Sequence, residues 1–307
     1  MGVAMRQSDA QFSWATGPDG LYQAWRSQKL AAVAQISEPT KPIEIRSLGA
    51  PSSAEIAEIT RRCQVLNAVP YASDQDADQP DIIRNQLRGF TQAFGLQIAE
   101  THRSAGQQGI VALQQSQKSN QRAYIPYSKK PMNWHTDGYY NGPDEKIRAM
   151  VLHCVQPAKD GGVNQFLDPE IAYIRLRDEN PSYIDALMHP RAMTIPENQE
   201  PGGTLRPVSI GPVFLKNSEA GHLEMRYTAR TRSIAWRKDA LTQEAVEFLG
   251  GVLRSDDPFI QTIKMQAGGG VLCNNSLHNR TGFDPNLDTD SDRLVFRVRF
   301  HNRVSGS

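Results

Sequence analysis

Residues 133–142 read NWHTDGYYNG and place His135 and Asp137 two positions apart. Successive side chains of an extended strand alternate between its two faces, so these two side chains would share one face. A neutral imidazole and a carboxylate in that arrangement can occupy adjacent positions around one metal ion. The pair alone is weak evidence, because a turn histidine beside a capping aspartate gives the same spacing. A third ligand is needed to decide between the two interpretations.

His278 is the best candidate for that third ligand among the seven histidines. It ends a strand-like segment in VLCNNSLHNRTGF, and a barrel of strands would bring it beside the first pair. Two histidines and one carboxylate on one face of an octahedron form the facial triad of non-haem iron(II) oxygenases. His153, in contrast, lies in mid-strand among apolar residues and is expected in the core.

An arginine-rich strand follows His278 in the sequence. The segment RLVFRVRF places Arg293, Arg297 and Arg299 on one face and apolar side chains on the other. Enclosed arginines need nearby anions, and the planar guanidinium fork suits a carboxylate because it makes two parallel hydrogen bonds. A half-exposed strand with solvated arginines is the alternative interpretation of this segment.

Taken together, these segments resemble the iron(II)- and 2-oxoglutarate-dependent dioxygenases of the taurine dioxygenase superfamily. WHTDGYY, GGVNQFLD, CNNSLHNRTGF and RLVFR match, in residue type and order, the W-H-x-D, G-G-x-T-x-F-x-D, D-N-x-x-x-H-G-R-x-x-F and R-x-x-x-R motifs of that family. The likeness covers about residues 125–303. The combination of four ordered motifs is far more specific than any one of them.

The resemblance implies a role for each matching residue. The Fe(II) ligands would be His135, Asp137 and His278. Arg293 would bind the distal carboxylate of the cosubstrate 2-oxoglutarate, which is decarboxylated to succinate. Asn164 stands where the family usually has a threonine that contacts the same carboxylate, and an asparagine amide can donate the same hydrogen bond. Because Asp137 is present, the resemblance implies hydroxylation or a related oxidation such as desaturation, rather than the halogenation of relatives that lack this carboxylate.

The substrates implied are dioxygen and a small molecule whose identity the sequence does not give. Along an extended strand Arg293 and Arg297 are separated by about 13 Å. Arg297 is therefore assigned to the outer edge of the 2-oxoglutarate carboxylate or to an anionic group of the substrate. Further substrate contacts are predicted at Tyr139, Tyr140, Arg226 and Arg230.

Two other classes of function stay open. A metal-dependent hydrolase or isomerase can use the same fold, since fold alone does not fix chemistry, but it does not need the arginine strand. A non-catalytic binding protein that keeps an old fold has no physical reason to retain three ligands and an arginine.

The elements that must position these residues are mainly short strands. Segments such as AMTIP, GPVFLKN, HLEMRYTA, FIQTIKM and GGVLCNN are β-branched or aromatic and are separated by turn residues. Helices are predicted in PSSAEIAEITRRC, where Ser52 and Glu55 form a capping box, and in DPEIAYIRLRDENPSYIDALMHP, where two helices each begin at a proline. The pattern predicts a mainly β fold with flanking helices, a double-stranded β-helix or jelly roll.

No segment marks a domain boundary, so we predict a single dioxygenase domain over residues 1–307, with an N-terminal extension of undetermined structure over residues 1–40.

The 34 Lys and Arg residues against 33 Asp and Glu residues leave no net charge that would attract nucleic acid or anionic membranes. The sequence has neither a ~20-residue apolar run nor the apolar core of a secretory signal, and its three cysteines are far apart. These features predict a cytoplasmic protein without nucleic-acid or membrane partners, and they are compatible with a homo-oligomer.

Overall fold

A computed structural model of the chain describes residues 19–74, 79–99, 109–114, 127–200, 203–217, 222–283 and 293–307. The chain divides into two compact units. The first unit comprises Met1–Ser37 with Pro169–Asp257, and the second unit comprises Glu38–Asp168 with Pro258–Ser307. All four motif segments belong to the second unit. A single domain over residues 1–307 stays a prediction.

The described residues contain six α-helices, and five of them follow a capping residue or begin at a proline. The six helices are α1 (Asp19–Ala34), α2 (Ser53–Leu66), α3 (Pro80–Ala93), α4 (Pro169–Glu179), α5 (Pro181–Leu187) and α6 (Ala240–Arg254). The predicted capping box of α2 is confirmed: the Ser52 side chain accepts from the Glu55 N–H, and the Glu55 carboxylate accepts from the Ser52 N–H. A proline is the first residue of α3, α4 and α5. The N–H groups of the first turn have no carbonyl partner within the helix, so the N–H that proline lacks is not missed there. Helix α1 lies inside the segment for which the sequence predicted no structure.

The strands of the second unit are β1 (Ile43–Ile45), β2 (Ala68–Ser73), β3 (Ile110–Leu113), β4 (Met132–His135), β5 (Ala149–Gln156), β6 (Asn164–Leu167), β14 (Gln261–Ile263), β15 (Gly269–Cys273), β16 (Leu277–Arg280) and β17 (Leu294–Phe300). Those of the first unit are β7 (Met193–Ile195), β8 (Asn198–Glu200), β9 (Gly203–Arg206), β10 (Ser209–Gly211), β11 (Phe214–Asn217), β12 (His222–Met225) and β13 (Ala235–Trp236).

The described strands of the second unit form two sheets. One has the strand order β1-β2-β15-β5-β17-β3 and the other has the order β14-β6-β16-β4. Leu152 and Val271 of the six-stranded sheet form one buried apolar cluster with Phe166 and Ile263 of the four-stranded sheet. The core therefore lies between two sheets of mostly antiparallel strands, as in the predicted jelly roll.

Helices α2 and α3 cover the other face of the six-stranded sheet. Ile59 of α2 and Phe90 of α3 are buried in a second cluster with Phe296, Val298 and Phe300 of β17. Strand β17 thus turns its even-numbered residues toward these helices, and the predicted division of its faces is confirmed.

The arginines on the opposite face of β17 are enclosed rather than solvated. Arg293 is 8% exposed, Arg297 is 6% exposed and Arg299 is 8% exposed. The interpretation of β17 as a half-exposed strand with solvated arginines is therefore wrong. An enclosed row of cations requires compensating anions.

The described strands of the first unit form three small sheets, with orders β10-β7-β13, β11-β12 and β8-β9. Helix α1 is fixed to α4 by polar contacts, because the Tyr22 hydroxyl donates to Asp178 at 2.7 Å and Arg26 forms an ion pair with the same carboxylate at 2.8 Å. Within the described ranges, no helix is both long and apolar enough to cross a membrane.

Candidate metal centre

His135 and His278 face each other across two neighbouring strands. Strand β16 pairs antiparallel with β4, and His278 is the register partner of His135. Their ring centroids are 4.2 Å apart. Asp137 follows β4 by two residues and places its Oδ1 3.6 Å from Nε2 of His135. One ligand atom from each of the three buried residues lies within 4.8 Å of the others, so the fold assembles the three side chains that the sequence selected.

The ring nitrogens of both histidines are oriented for metal binding. Nδ1 of His135 lies 2.8 Å from the Asn133 carbonyl oxygen, and Nδ1 of His278 lies 2.9 Å from the Ser276 carbonyl oxygen. A carbonyl oxygen only accepts hydrogen bonds, so each Nδ1 carries a proton, and in the neutral imidazole Nε2 is then the nitrogen with the lone pair. Burial, reinforced by His135, lowers the pKa of His278 to about 3, so that this imidazole is neutral at physiological pH.

Asn275 fixes the loop that carries Asp137. Its Oδ1 accepts a hydrogen bond from the Asp137 N–H at 2.7 Å, and its Nδ2 donates to the carbonyl oxygens of Asp137 at 3.0 Å and Ile147 at 2.6 Å. The backbone φ of Asn275 is 49°, in the left-handed region that asparagine adopts more readily than most residues. Sequence reasoning missed Asn275, although its place three residues before His278, in the turn between β15 and β16, was a usable signal.

The Asp137 carboxylate is compensated by two arginines of β17. Arg299 forms a two-point ion pair with it, from Nε to Oδ2 at 2.6 Å and from Nη2 to Oδ1 at 3.0 Å. Nη1 of Arg297 lies 3.8 Å from Oδ2. Burial by itself raises the pKa of Asp137, but the guanidinium groups of Arg299 and Arg297 lower it well below its usual range. Asp137 is therefore an ionised carboxylate, as a metal ligand must be.

Arg293 lies in a small cleft at the beginning of the same strand face. The cleft is also lined by Cys154, Gly161, Gly162 and Lys264. Gly162 lies against Arg293, since a Cβ there would be 3.4 Å from Nε, and its φ of 65° is in the left-handed region that favours glycine. Burial lowers the pKa of Arg293, and no Asp or Glu of the described chain forms an ion pair with it. An enclosed cation of this kind suits an anionic ligand.

Asn164 begins β6 and is the register partner of Arg280 on β16. Its Nδ2 donates to the Asn279 carbonyl oxygen at 3.0 Å, and its buried Oδ1 has no hydrogen-bond partner within the described residues. The guanidinium groups of Arg280 and Arg293 both lie over the Phe283 ring, 5.0 and 5.7 Å from its centroid. The contact of Asn164 with 2-oxoglutarate stays a prediction.

The two tyrosines after Asp137 flank the metal ligands. The Tyr139 ring is edge-on to His135, with centroids 6.4 Å apart, and to Tyr140, with centroids 5.1 Å apart. The Tyr140 hydroxyl accepts a hydrogen bond from Nη1 of Arg299 at 3.5 Å. Both tyrosines therefore lie beside candidate metal-centre residues, and their contacts with substrate stay predictions.

Arg226 and Arg230 belong to the first unit. The guanidinium of Arg226 donates to the carbonyl oxygens of Ser209 at 2.9 Å and Met193 at 3.1 Å, and burial lowers its pKa to about 10. Arg230 is exposed. Their predicted contacts with substrate stay predictions.

The family model described as taurine catabolism dioxygenase TauD, TfdA family matches residues 77–299, which is well over half of the chain and includes all four motif segments. The match begins earlier than the motif-bearing segment predicted from the sequence. A curated relative, uridine-5′-phosphate dioxygenase from Streptomyces sp., is 29% identical over 180 residues, which are 56% of this chain and 62% of the relative. This chain therefore matches less than two thirds of that relative's length.

Solved structures show the same fold. A taurine dioxygenase from Burkholderia xenovorans has a TM-score of 0.56 and 16% sequence identity, covering 85% of this chain and 89% of its own. A non-heme iron oxygenase in complex with Fe and alpha-ketoglutaric acid has a TM-score of 0.58 and 15% identity, covering 81% of this chain and 80% of its own. At these identities the likeness establishes the jelly-roll architecture.

Proposed function

We propose that this chain, which belongs to the taurine catabolism dioxygenase TauD, TfdA family, is an Fe(II)- and 2-oxoglutarate-dependent dioxygenase that oxidises a C–H bond of a small anionic molecule. The observation that carries the proposal is the buried group of His135, Asp137 and His278, whose ligand atoms lie within 4.8 Å of one another. The family match and the fold support the same activity.

The donor atoms of this group fit Fe(II). Two neutral imidazoles and one carboxylate form the facial triad, and this set leaves three of six octahedral positions for other ligands. The carbonyl oxygens of Asn133 and Ser276 fix the tautomer and the rotation of the two histidine rings. The Phe166 ring stacks on His278, with centroids 5.9 Å apart and planes inclined by 21°, and it shields that ring from water.

Iron and 2-oxoglutarate together supply the oxidation, in which 2-oxoglutarate is decarboxylated to succinate. The contribution of the chain is to bind and orient both substrates. Arg293 is assigned to the distal carboxylate of 2-oxoglutarate, because it is enclosed and its fork can make two parallel hydrogen bonds. Asn164, on strand β6, is assigned a supporting hydrogen bond to the same carboxylate.

The substrate is assigned an anionic group that Arg297 binds. Arg297 is 6% exposed, and its Nε has no hydrogen-bond partner within the described residues. A buried guanidinium N–H that lacks a hydrogen-bond partner favours the binding of an anion beside it. The Streptomyces relative is named for a phosphate-bearing nucleotide, so nucleoside monophosphates join small carboxylates as candidates. Tyr139 and Tyr140 offer aromatic surface beside the metal ligands.

Anaerobic addition of Fe(II) and 2-oxoglutarate to the purified protein tests the proposal directly. A weak visible charge-transfer band is expected, and it should be lost in Arg293→Ala at 2-oxoglutarate concentrations that saturate the wild type. A metal-dependent hydrolase or isomerase, or a non-catalytic binding protein, would show no such band. Its absence from the wild type would overturn the assignment.

Paired variants of the two arginines test the assignment of the anions. Arg293→Ala should weaken 2-oxoglutarate binding even without substrate. Arg297→Ala should leave uncoupled 2-oxoglutarate decarboxylation largely intact and lose only the part that substrate stimulates. Equal damage to 2-oxoglutarate binding in both variants would remove the support for an anionic substrate.

Matched candidate substrates test the class of anion. Uridine-5′-phosphate and uridine differ only in the phosphate, so stimulation of succinate formation by the nucleotide alone would indicate recognition of phosphate. Stimulation by both compounds would contradict the role assigned to Arg297. A cytoplasmic location belongs to the same proposal and is supported by three buried cysteines that form no disulfide within the described residues.

A further inference from the structure

We infer that Arg299 is a positioning residue for the metal ligand Asp137, whose carboxylate it holds so that Oδ1 faces the metal and Oδ2 is kept away from it. The inference rests on the proposed function, because it concerns the same metal centre. Its basis is the two-point contact of the guanidinium, from Nε to Oδ2 at 2.6 Å and from Nη2 to Oδ1 at 3.0 Å.

The two carboxylate oxygens have different surroundings. Oδ2 is flanked by cations, with Nε of Arg299 at 2.6 Å and Nη1 of Arg297 at 3.8 Å. Oδ1 has one arginine contact and lies 3.6 Å from Nε2 of His135, on the side of the histidine pair. Each carboxylate oxygen has two lone-pair sites, so Oδ1 can accept from Arg299 and still donate to a metal. A metal ion is least favourable at Oδ2, because that oxygen already faces two guanidinium groups.

The guanidinium fork is itself held in place. Arg299 lies in β17 opposite Met150 of β5 and is 8% exposed. Its Nη1 donates to the Tyr140 hydroxyl at 3.5 Å. The backbone of Arg299 is therefore held in the sheet, and its guanidinium is held by Tyr140 in the loop that carries Asp137. A guanidinium held at both ends can fix the plane of the Asp137 carboxylate.

This orientation bears on how many coordination positions stay open. A carboxylate that binds through both oxygens takes up one position more than a carboxylate that binds through one. By holding Oδ2, Arg299 favours binding through Oδ1 alone and keeps that further position available. Partners of metal-ligating carboxylates typically contribute 10- to 100-fold to metal affinity.

The test uses the full chain and Co(II), a spectroscopic substitute for Fe(II), without 2-oxoglutarate. Arg299→Met removes the charge and the fork, whereas Arg299→Lys keeps the charge and removes the fork. We expect both variants to bind Co(II) about 10- to 100-fold more weakly than the wild type. We also expect the visible absorption bands of bound Co(II) to shift, because the coordination mode of Asp137 changes.

Arg148→Met is the matched control. Arg148 is half-buried in the same unit and donates to the His301 carbonyl oxygen at 2.9 Å, so its loss removes one positive charge and a hydrogen bond to a residue other than Asp137. This control should bind Co(II) with wild-type affinity and spectrum. Circular dichroism of each variant shows whether the fold is kept.

The outcomes separate the inference from the proposed function. A wild-type chain that fails to bind Co(II) would overturn the proposed metal centre, and the inference with it. If Arg299→Lys binds Co(II) with the affinity and spectrum of the wild type, the inference alone is overturned. A positive charge would then be enough to hold Asp137, without the two-point contact of the guanidinium. If Arg299→Met fails to fold, Arg299→Lys decides. If neither variant folds, Arg299 serves the fold rather than the metal, which equally overturns the inference.

Discussion

His153 makes the stability of the chain depend on pH in a window set by its burial. It lies in the middle of β5, is 1% exposed, and its Nδ1 is 3.1 Å from the Tyr71 hydroxyl. Burial lowers the pKa of His153 from 6.5 to about 4. Above pH 6.5 the imidazole is neutral in the folded and the unfolded chain, so it contributes no pH dependence there. Between pH 6.5 and pH 4 only the unfolded chain binds the proton, and stability falls as the pH falls.

The size of the effect follows from the two pKa values. Each unit of difference in pKa corresponds to about 1.4 kcal/mol, so the full loss is about 3 kcal/mol below pH 4. At pH 5 the unfolded imidazole is almost fully protonated and the folded one is mostly neutral, which gives a loss of about 2 kcal/mol relative to pH 7.5. His278 titrates in the same direction but is present in every protein compared, so its contribution cancels.

The assay compares wild type with His153→Asn, which retains an acceptor for the Tyr71 hydroxyl and cannot titrate. Urea unfolding of the metal-free proteins is measured at pH 7.5 and at pH 5.0. The free energy of unfolding should fall by about 2 kcal/mol more in the wild type than in the variant, whatever the stability of the variant at pH 7.5. An equal fall in both proteins would show that His153 is protonated in the folded chain and would refute the reasoning from burial.

Four further predictions concern the metal centre and the backbone. His135→Ala and His278→Ala should each abolish Fe(II) binding in an equilibrium titration, because two ligands do not hold the ion, and near-normal succinate formation in either would contradict the ligand assignment. Asn275→Ala should lower the free energy of unfolding by at least about 2 kcal/mol, since it leaves three backbone groups without their hydrogen bonds. Asn275→Gly favours the left-handed backbone but loses the same hydrogen bonds, so it should be nearly as unstable as Asn275→Ala. A stability close to that of the wild type in Asn275→Gly would show that backbone conformation matters more than these hydrogen bonds. Gly251→Ala should stabilise α6 by roughly 0.5–1 kcal/mol in thermal or urea unfolding, because no described atom beyond the neighbouring residues and backbone of α6 lies within 4 Å of the added methyl group. Gly270→Ala should strongly destabilise the chain, because its Cβ would collide with the Leu152 carbonyl oxygen and the Tyr71 ring, and a stable variant would show that these groups can move apart.

The sequence by itself determined the features that depend on local spacing. His135 and Asp137 share one side of the chain because side chains alternate along a strand. The same alternation separated the arginines of β17 from Phe296 and Phe300. Ser52 and Glu55 predicted the start of α2, because a capping box is formed by two residues three positions apart. The run of short strands separated by turn residues predicted the jelly roll, and the order of the four motif segments pointed to the family.

The tertiary structure decided which distant groups meet. The register of β4 and β16 places His278 directly opposite His135, and a shift of one residue would have turned His278 to the other face. Sequence reasoning placed three arginines on one face of β17 but gave no reason for Arg299, rather than Arg297, to form the two-point ion pair with Asp137. That choice depends on how β17 of one sheet lies against the loop after β4 of the other sheet. The distance between strands of two packed sheets is set by the side chains of the whole core, and no local pattern in the sequence records it.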